Sequence, residues 1–403
     1  MSVLSSLPFI TSLFALKIEA MLKTIHWVRL LAFNCVLVAL LIGLGACRGG
    51  SEDEVIEEPV ERKDTNLTFN DVTLEQADTA GKLLWKVRSK RVLYSKDRKI
   101  ARLQGPDGEI FEEGKPVIRF KALKGRIEDN GKKLFLEDNV VATDIRNGVV
   151  LRGKLVEWEP DESRLQVRDN FTVVHKQFRG QAEEGNWFLE KKQLEVLRKV
   201  VAVSKDPNLQ YKGDRILWNI DKQTVLSDKP LELYRYKGKT LTDRATGNRA
   251  DVDLKAKTVL LRQNGLLNLV DPPVDIASNA MLWNMDEETA VSNVPVRVLH
   301  RKEQVVFDAN QGKADLGEEI FYLIGNVRGV GQSRRARLNS DLLTWYSKND
   351  RVEAEGKVFY VQEDPPLVTE GPKAVGFIKD ETIVVDGGST GGRVSSYFIP
   401  EEE

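Results

Sequence analysis

Four tryptophans at near-regular spacing constrain what this chain can fold into. Trp158, Trp218, Trp283 and Trp345 stand 60, 65 and 62 residues apart. Two residues before each is an apolar side chain: Val156, Ile216, Met281 and Leu343. At one fixed offset upstream lies an alternating apolar pair: Leu134/Leu136, Leu194/Val196, Val259/Leu261 and Phe321/Leu323. Asp138-Asn139-Val140 and Gly325-Asn326-Val327 match as well, the asparagine standing 19 residues before its tryptophan in both. A repeat of this length with alternating flanks predicts one supersecondary unit stacked several times. Short alternating runs such as Val117–Leu123 and Arg164–Val167, separated by Gly, Asn, Asp and Pro, make that unit antiparallel β. The expected fold is all-β, an antiparallel sheet folded into a sandwich or barrel, whose stacked repeats would make a long two-sheet trough.

Composition narrows the function. Sixty Lys and Arg against 61 Asp and Glu leave a net charge of −1, without the basic excess of proteins held to nucleic acid by bulk charge. Three histidines (His26, His175, His300) and two cysteines (Cys35, Cys47) leave little material for a soft-metal site or a histidine triad. Both cysteines precede residue 48, so no disulfide can staple the body. His175-Lys176 and His300-Arg301-Lys302 place the later histidines among charges, and they are expected at the surface. Glu157, Glu159, Asp161 and Glu162 are expected in or beside a solvated turn. No phosphate-binding glycine loop and no dinucleotide fingerprint occurs, so no cofactor is expected.

The N-terminal stretch reads as an address and an anchor. Leu30–Ala46 is an uncharged run behind Lys23 and Arg29, ending in Leu44-Gly45-Ala46-Cys47. This ending resembles a bacterial lipobox, which makes Cys47 the expected lipidation site; an uncleaved transmembrane helix is the alternative. Either way the body lies outside the membrane whose positive flank stays inside. Met21 is an alternative start to Met1. Residues 48–65 form an acidic tether. The expected division is then 66–205 and 206–385 as two modules of the repeat, and 386–403 as a flexible tail.

Residues 66–205 resemble the LptC family, the periplasmic component of the lipopolysaccharide-transport bridge, related to the LptA and OstA-like jellyrolls. The likeness runs through Leu67-Thr68-Phe69, Leu83–Val87, Arg91–Tyr94, Phe120–Ile127, Leu134–Val140, Gly148–Leu151, Leu155–Trp158, Leu165–Val167 and Phe178–Ala182. The resemblance implies lipopolysaccharide as ligand, an inner-membrane ABC transporter as donor, and a downstream LptA-like or outer-membrane bridge protein as recipient. It also implies a tandem β-jellyroll fold, an inner-membrane location facing the periplasm and no enzymatic activity, while the charge balance implies no nucleic-acid partner. Two departures stand out: the anchor reads as lipid, and the chain continues in the same repeat well beyond the first jellyroll.

Strand alternation puts Ile118, Phe120, Leu134, Leu136, Val140, Leu165, Val167, Phe171 and Val173 on apolar faces. By resemblance Leu103 joins them, and these ten are the expected groove lining. The competing readings are an envelope lipoprotein scaffold that carries no lipid and a glycan-processing enzyme. A filled interior would favour the scaffold.

Overall fold

The computed structural model describes residues 67–380, 382–387 and 393–397. Cys47, Leu30–Ala46 and the whole acidic tether, residues 48–65, lie outside the described residues. Alternation in the sequence becomes alternation of burial: in Leu83–Tyr94, Trp85, Val87, Ser89 and Val92 are buried while Lys86, Arg88, Lys90 and Arg91 face water. The described residues of the unit Asp64–Glu403 form 29 strands in one continuous antiparallel ladder, so the all-β expectation holds. Single 3-10 turns at Asp129–Gly131, Pro160–Glu162 and Ser347–Asn349 are the helical pieces among the described residues.

The tryptophan repeat is a register. Leu134 lies directly opposite Trp158, Leu194 opposite Trp218, Val259 opposite Trp283 and Phe321 opposite Trp345. Leu136, Val196, Leu261 and Leu323 likewise oppose Val156, Ile216, Met281 and Leu343. The row continues across neighbouring strands from Tyr94 through Leu134, Trp158, Leu165, Trp187, Leu194 and Trp218, on through Trp283 and Trp345 to Ile383. This row defines one layer, here the tryptophan layer.

A second row defines the facing layer: Val87, Gly108, Phe120, Ala142, Leu151, Val173 and Gly180, continuing through Tyr211, Ile276 and Phe307 to Leu338. Small residues (Gly108, Ala142, Gly180) stand among the large ones along it. A Cβ at Gly108 would lie 2.7 Å from the Phe120 ring, so the glycine makes room for its neighbour.

Long strands pass from one layer to the other at a corner. In six of them the corner is a pair of consecutive residues at positive φ: Asp138-Asn139, Asp169-Asn170, Arg198-Lys199, Gln263-Asn264, Gly325-Asn326 and Gly356-Lys357. Each pair coincides with a register shift, for example between Glu137 and Val140. The left-handed conformation suits Gly, Asn and Asp best. The second member of the pair precedes a tryptophan by 19 residues in all four copies: Asn139, Lys199, Asn264 and Asn326. Short strands cross between the layers beside these corners, as in the 3.1 Å hydrogen bond from Asn170 N–H to the Glu183 carbonyl. This side is a closed spine.

The opposite side is a mouth edged by turns. Along the tryptophan layer each turn donates to the one before it: Leu189 N–H to Ser163 O, Ile220 to Lys192, Leu254 to Gln223, Met285 to Lys257, Leu316 to Glu288, Ser347 to Glu319 and Ile378 to Asp350. Every one of those accepting residues has a positive φ. The ladder passes from Gln193–Ser204 into Leu209–Asn219 without a break. Past Asp386 the chain does not stay apart from the sheet as the sequence suggested. Ser395–Tyr397 pairs with the strand Pro366–Phe377.

Candidate ligand groove

The inner faces of the two layers bound one apolar interior. Leu103, Leu134, Leu136, Leu165 and Val167 lie on the tryptophan layer. Ile118, Phe120, Val140, Phe171 and Val173 lie on the facing layer, Val140 and Phe171 directly after corners. All ten candidates face this interior, and none is more than 4% exposed. They belong to a single packed cluster that also takes in the buried tryptophans. The space around them is filled by one another.

Open space occurs farther along. A cavity of about 60 Å³ is bounded by Val173, Phe178, Tyr211, Trp218 and Leu233. A larger one, about 180 Å³, sits at the C-terminal end between Val305, Phe307, Leu338, Tyr360, Phe377 and Ile378, with Arg334, Arg337 and Lys379 also in its lining. Of the ten candidates, Val173 borders the first cavity.

Polar ties cross the mouth elsewhere. Trp85 Nε1 donates to the Gly131 carbonyl at 3.0 Å. Gln177 Nε2 donates to Gln223 Oε1 at 3.2 Å. Lys257 Nζ lies 3.2 Å from Asp206. Arg235 Nη2 donates to the Met285 carbonyl at 2.8 Å and lies 3.4 Å from Glu288, which also pairs with Lys237 at 2.6 Å. Arg235 is anchored on its own layer by Asp243, whose carboxyl burial pushes above the usual carboxylate range against the pull of Thr242 and Arg235.

Sequence reasoning placed both later histidines at the surface, and the structure corrects this. His175 and His300 are 9% and 6% exposed. Their charged neighbours belong to the rim turns, while the imidazoles turn inward. The His300 ring meets Trp345 edge-on at 5.3 Å, and His175 lies 5.6 Å from Trp218. Burial lowers both histidines below their ordinary value, with help from Lys176 at His175; at His300, Asp350 and Glu303 oppose it while Lys302 and Arg301 assist. Nδ1 of His175 accepts from Gln177 N–H at 3.4 Å and Nδ1 of His300 from Glu303 N–H at 3.1 Å. A neutral ring accepting at Nδ1 carries its proton on Nε2.

These histidines belong to the repeat. His175, Arg235, His300 and Gln362 each follow one of the four tryptophans by 17 residues. His175, His300 and Gln362 are buried, and the Arg235 side chain is only 12% exposed. The signal lay in the same offsets that revealed the repeat. Glu157 is buried too, between Lys133 at 3.8 Å and Arg168 at 3.6 Å, whereas Asp161 and Glu162 sit in an exposed turn as expected.

Comparison with known proteins bears on the N-terminal part. Residues 35–149 match the family described as lipopolysaccharide-assembly, LptC-related. The match ends at Val149, before the strand that carries Trp158. No curated protein matches the chain. The resemblance read over residues 66–205 is thus supported as far as residue 149, over which the chain is similar to the LptC-related family.

Proposed function

From this similarity and the repeat that extends beyond it, we propose a lipopolysaccharide-export bridge component. It accepts lipopolysaccharide from an inner-membrane ABC transporter and passes it along the interior between the two layers towards the outer membrane. The observation that carries this reading is the uninterrupted apolar interior, edged along one side by a mouth and open at the C-terminal cavity. Each methylene kept from water gains about 0.8 kcal/mol, so a dozen-carbon chain gains on the order of 10 kcal/mol in an apolar slot. Sugars and phosphates stay in water outside the mouth. Cys47 carries the lipid anchor and holds the body on the periplasmic side. The chain has no nucleotide motif, so the work is done by the transporter's ATPase. Of the C-terminal strands around 351–361 and 374–385, Arg351–Glu363 is already paired on both sides, so the next bridge element docks by edge pairing on the outer strand Thr382–Asp386.

One observation favours the scaffold reading instead: the ten candidate positions are packed against one another. Carriage then requires the layers to part. Photo-crosslinkers at Phe120, Leu136, Val167 and Val173, in cells with an active transporter, decide between the two. Carriage gives lipopolysaccharide adducts at these sites and not at outward-facing Arg119. Folded variants with no interior adduct, or equal labelling at Arg119, leave the scaffold reading in its place.

A further inference from the structure

Five of the seven tryptophans share an unusual property. The indole N–H groups of Trp158, Trp187, Trp218, Trp283 and Trp345 are buried and have no hydrogen-bond acceptor among the described residues. Trp85, on the facing layer, has one. A buried donor without an acceptor is costly, and native proteins leave few of them. Phenylalanine would fill much the same space without an orphaned group. The five are not scattered: they stand on one cross-strand row, next to the mouth turns of the tryptophan layer. Neighbouring strands lie about 4.8 Å apart, so Trp158, Trp187 and Trp218 follow at steps of about 10 Å, and Trp283 and Trp345 at about twice that.

The other lip presents donors at the same depth. His175 and His300, whose rings lie against Trp218 and Trp345, use Nδ1 to accept main-chain N–H groups, which leaves Nε2 as the donor of each neutral ring. Both lips therefore offer hydrogen, and the complementary ligand offers oxygen without hydrogen.

We infer that the tryptophan row is a track for the carbonyl oxygens of ester- or amide-linked acyl chains, at the level where the apolar part of an acylated sugar meets its polar part. The chains lie toward the spine and the sugar lies outside the mouth. Repeating the same donor along the row gives the carbonyls equivalent partners at successive positions, so passage along the track exchanges one hydrogen bond for another. This inference rests on the carrier reading and assigns it positioning residues.

The test uses the full chain with 15N-labelled indoles and two probes: a diacylglucosamine 1-phosphate, and its counterpart with ether-linked chains, which lacks the carbonyl oxygens. The ester probe is expected to shift the indole N–H resonances of Trp218 and Trp345. The ether probe is expected to leave them in place and to bind roughly 2- to 10-fold more weakly for each hydrogen bond lost. Trp218→Phe, Trp283→Phe and Trp345→Phe combined are expected to remove the difference between ester and ether binding. Equal affinities with unmoved indole resonances overturn the track and leave carriage standing. Binding of neither probe overturns both. Where the triple variant does not fold, the comparison of the two probes on the unaltered chain decides.

Discussion

Arg235 on one layer and Met285 on the other are joined across the mouth by a 2.8 Å hydrogen bond from guanidinium Nη2 to main-chain carbonyl. The same guanidinium lies 3.3 Å from Asp243 and 3.4 Å from Glu288. Arg235 is thus a brace between lips that must part if a ligand enters from the side.

Removing the brace exposes a buried debt. Arg235→Gln leaves the Asp243 carboxylate, 9% exposed, without its cation, a situation that costs about 3–5 kcal/mol where a pair is well buried. Urea denaturation should show a loss of that order, and Asp243→Asn in the same chain should recover much of it. A loss below about 1 kcal/mol would mean the pair behaves as an exposed one.

The opposite manipulation holds the lips together. Gln177→Cys and Gln223→Cys sit at residues whose side chains already touch across the mouth at 3.2 Å. Bridging the two thiols with a short bismaleimide should leave the melting temperature unchanged or raised and abolish lipopolysaccharide adducts at Val173. Adducts that persist in the bridged protein would show that ligand enters only through the ends.

The corners admit a test of backbone against side chain. Asn326 has φ 55°, a conformation that costs a β-branched residue about 1–2 kcal/mol more than it costs glycine. Asn326→Val should lower stability by about that amount, whereas Asn326→Gly should stay within about 0.5 kcal/mol. Equal losses would assign the corner to side-chain contacts.

Acidification should destabilise the fold through His175 and His300. Their folded rings stay neutral below the ordinary histidine value, where the unfolded chain takes up protons. Stability is therefore complete above that value, about pH 6.5, and falls as pH drops through it towards the lowered native values. Asp243 acts with the opposite sign, since its raised carboxyl is more readily protonated in the fold. The measurement is therefore a difference: thermal melts at pH 8 and pH 5.5 should separate less in the His175→Gln/His300→Gln variant than in the unaltered chain. Equal separation would place both histidines outside the pH response.

The repeat was legible because a β register preserves distance along the chain. Leu134 and Trp158 face each other, so a fixed hairpin length reappears as a fixed offset. The corner was visible only where Asn or Gly advertised it. Arg198-Lys199 holds the same conformation with residues that give no such hint. Trp187 escaped as a member of the row because its equivalents, Ile127, Val252 and Ala314, are merely apolar. Alternation also showed which side chains face inward without showing whether the layers touch. The distance between layers is set by the whole stack, and no local pattern encodes it. The histidines were misplaced for a related reason: their neighbours in sequence are rim residues, and their neighbours in space lie on the other layer.

The laddered mouth turns carry a consequence for how long such a molecule can be. Their accepting residues recur about every 31 positions, and each such interval adds two strands to a layer. At about 4.8 Å per strand, one interval adds roughly 10 Å, and the row from Tyr94 to Ile383 runs for roughly 90 Å. Because each interval bonds only to its neighbours, extension comes in whole steps, and half a step would leave one layer longer than the other with an unpaired rim carbonyl. Reach in this protein is counted rather than stretched, and a gene that must span a wider gap can do so by duplicating an interval.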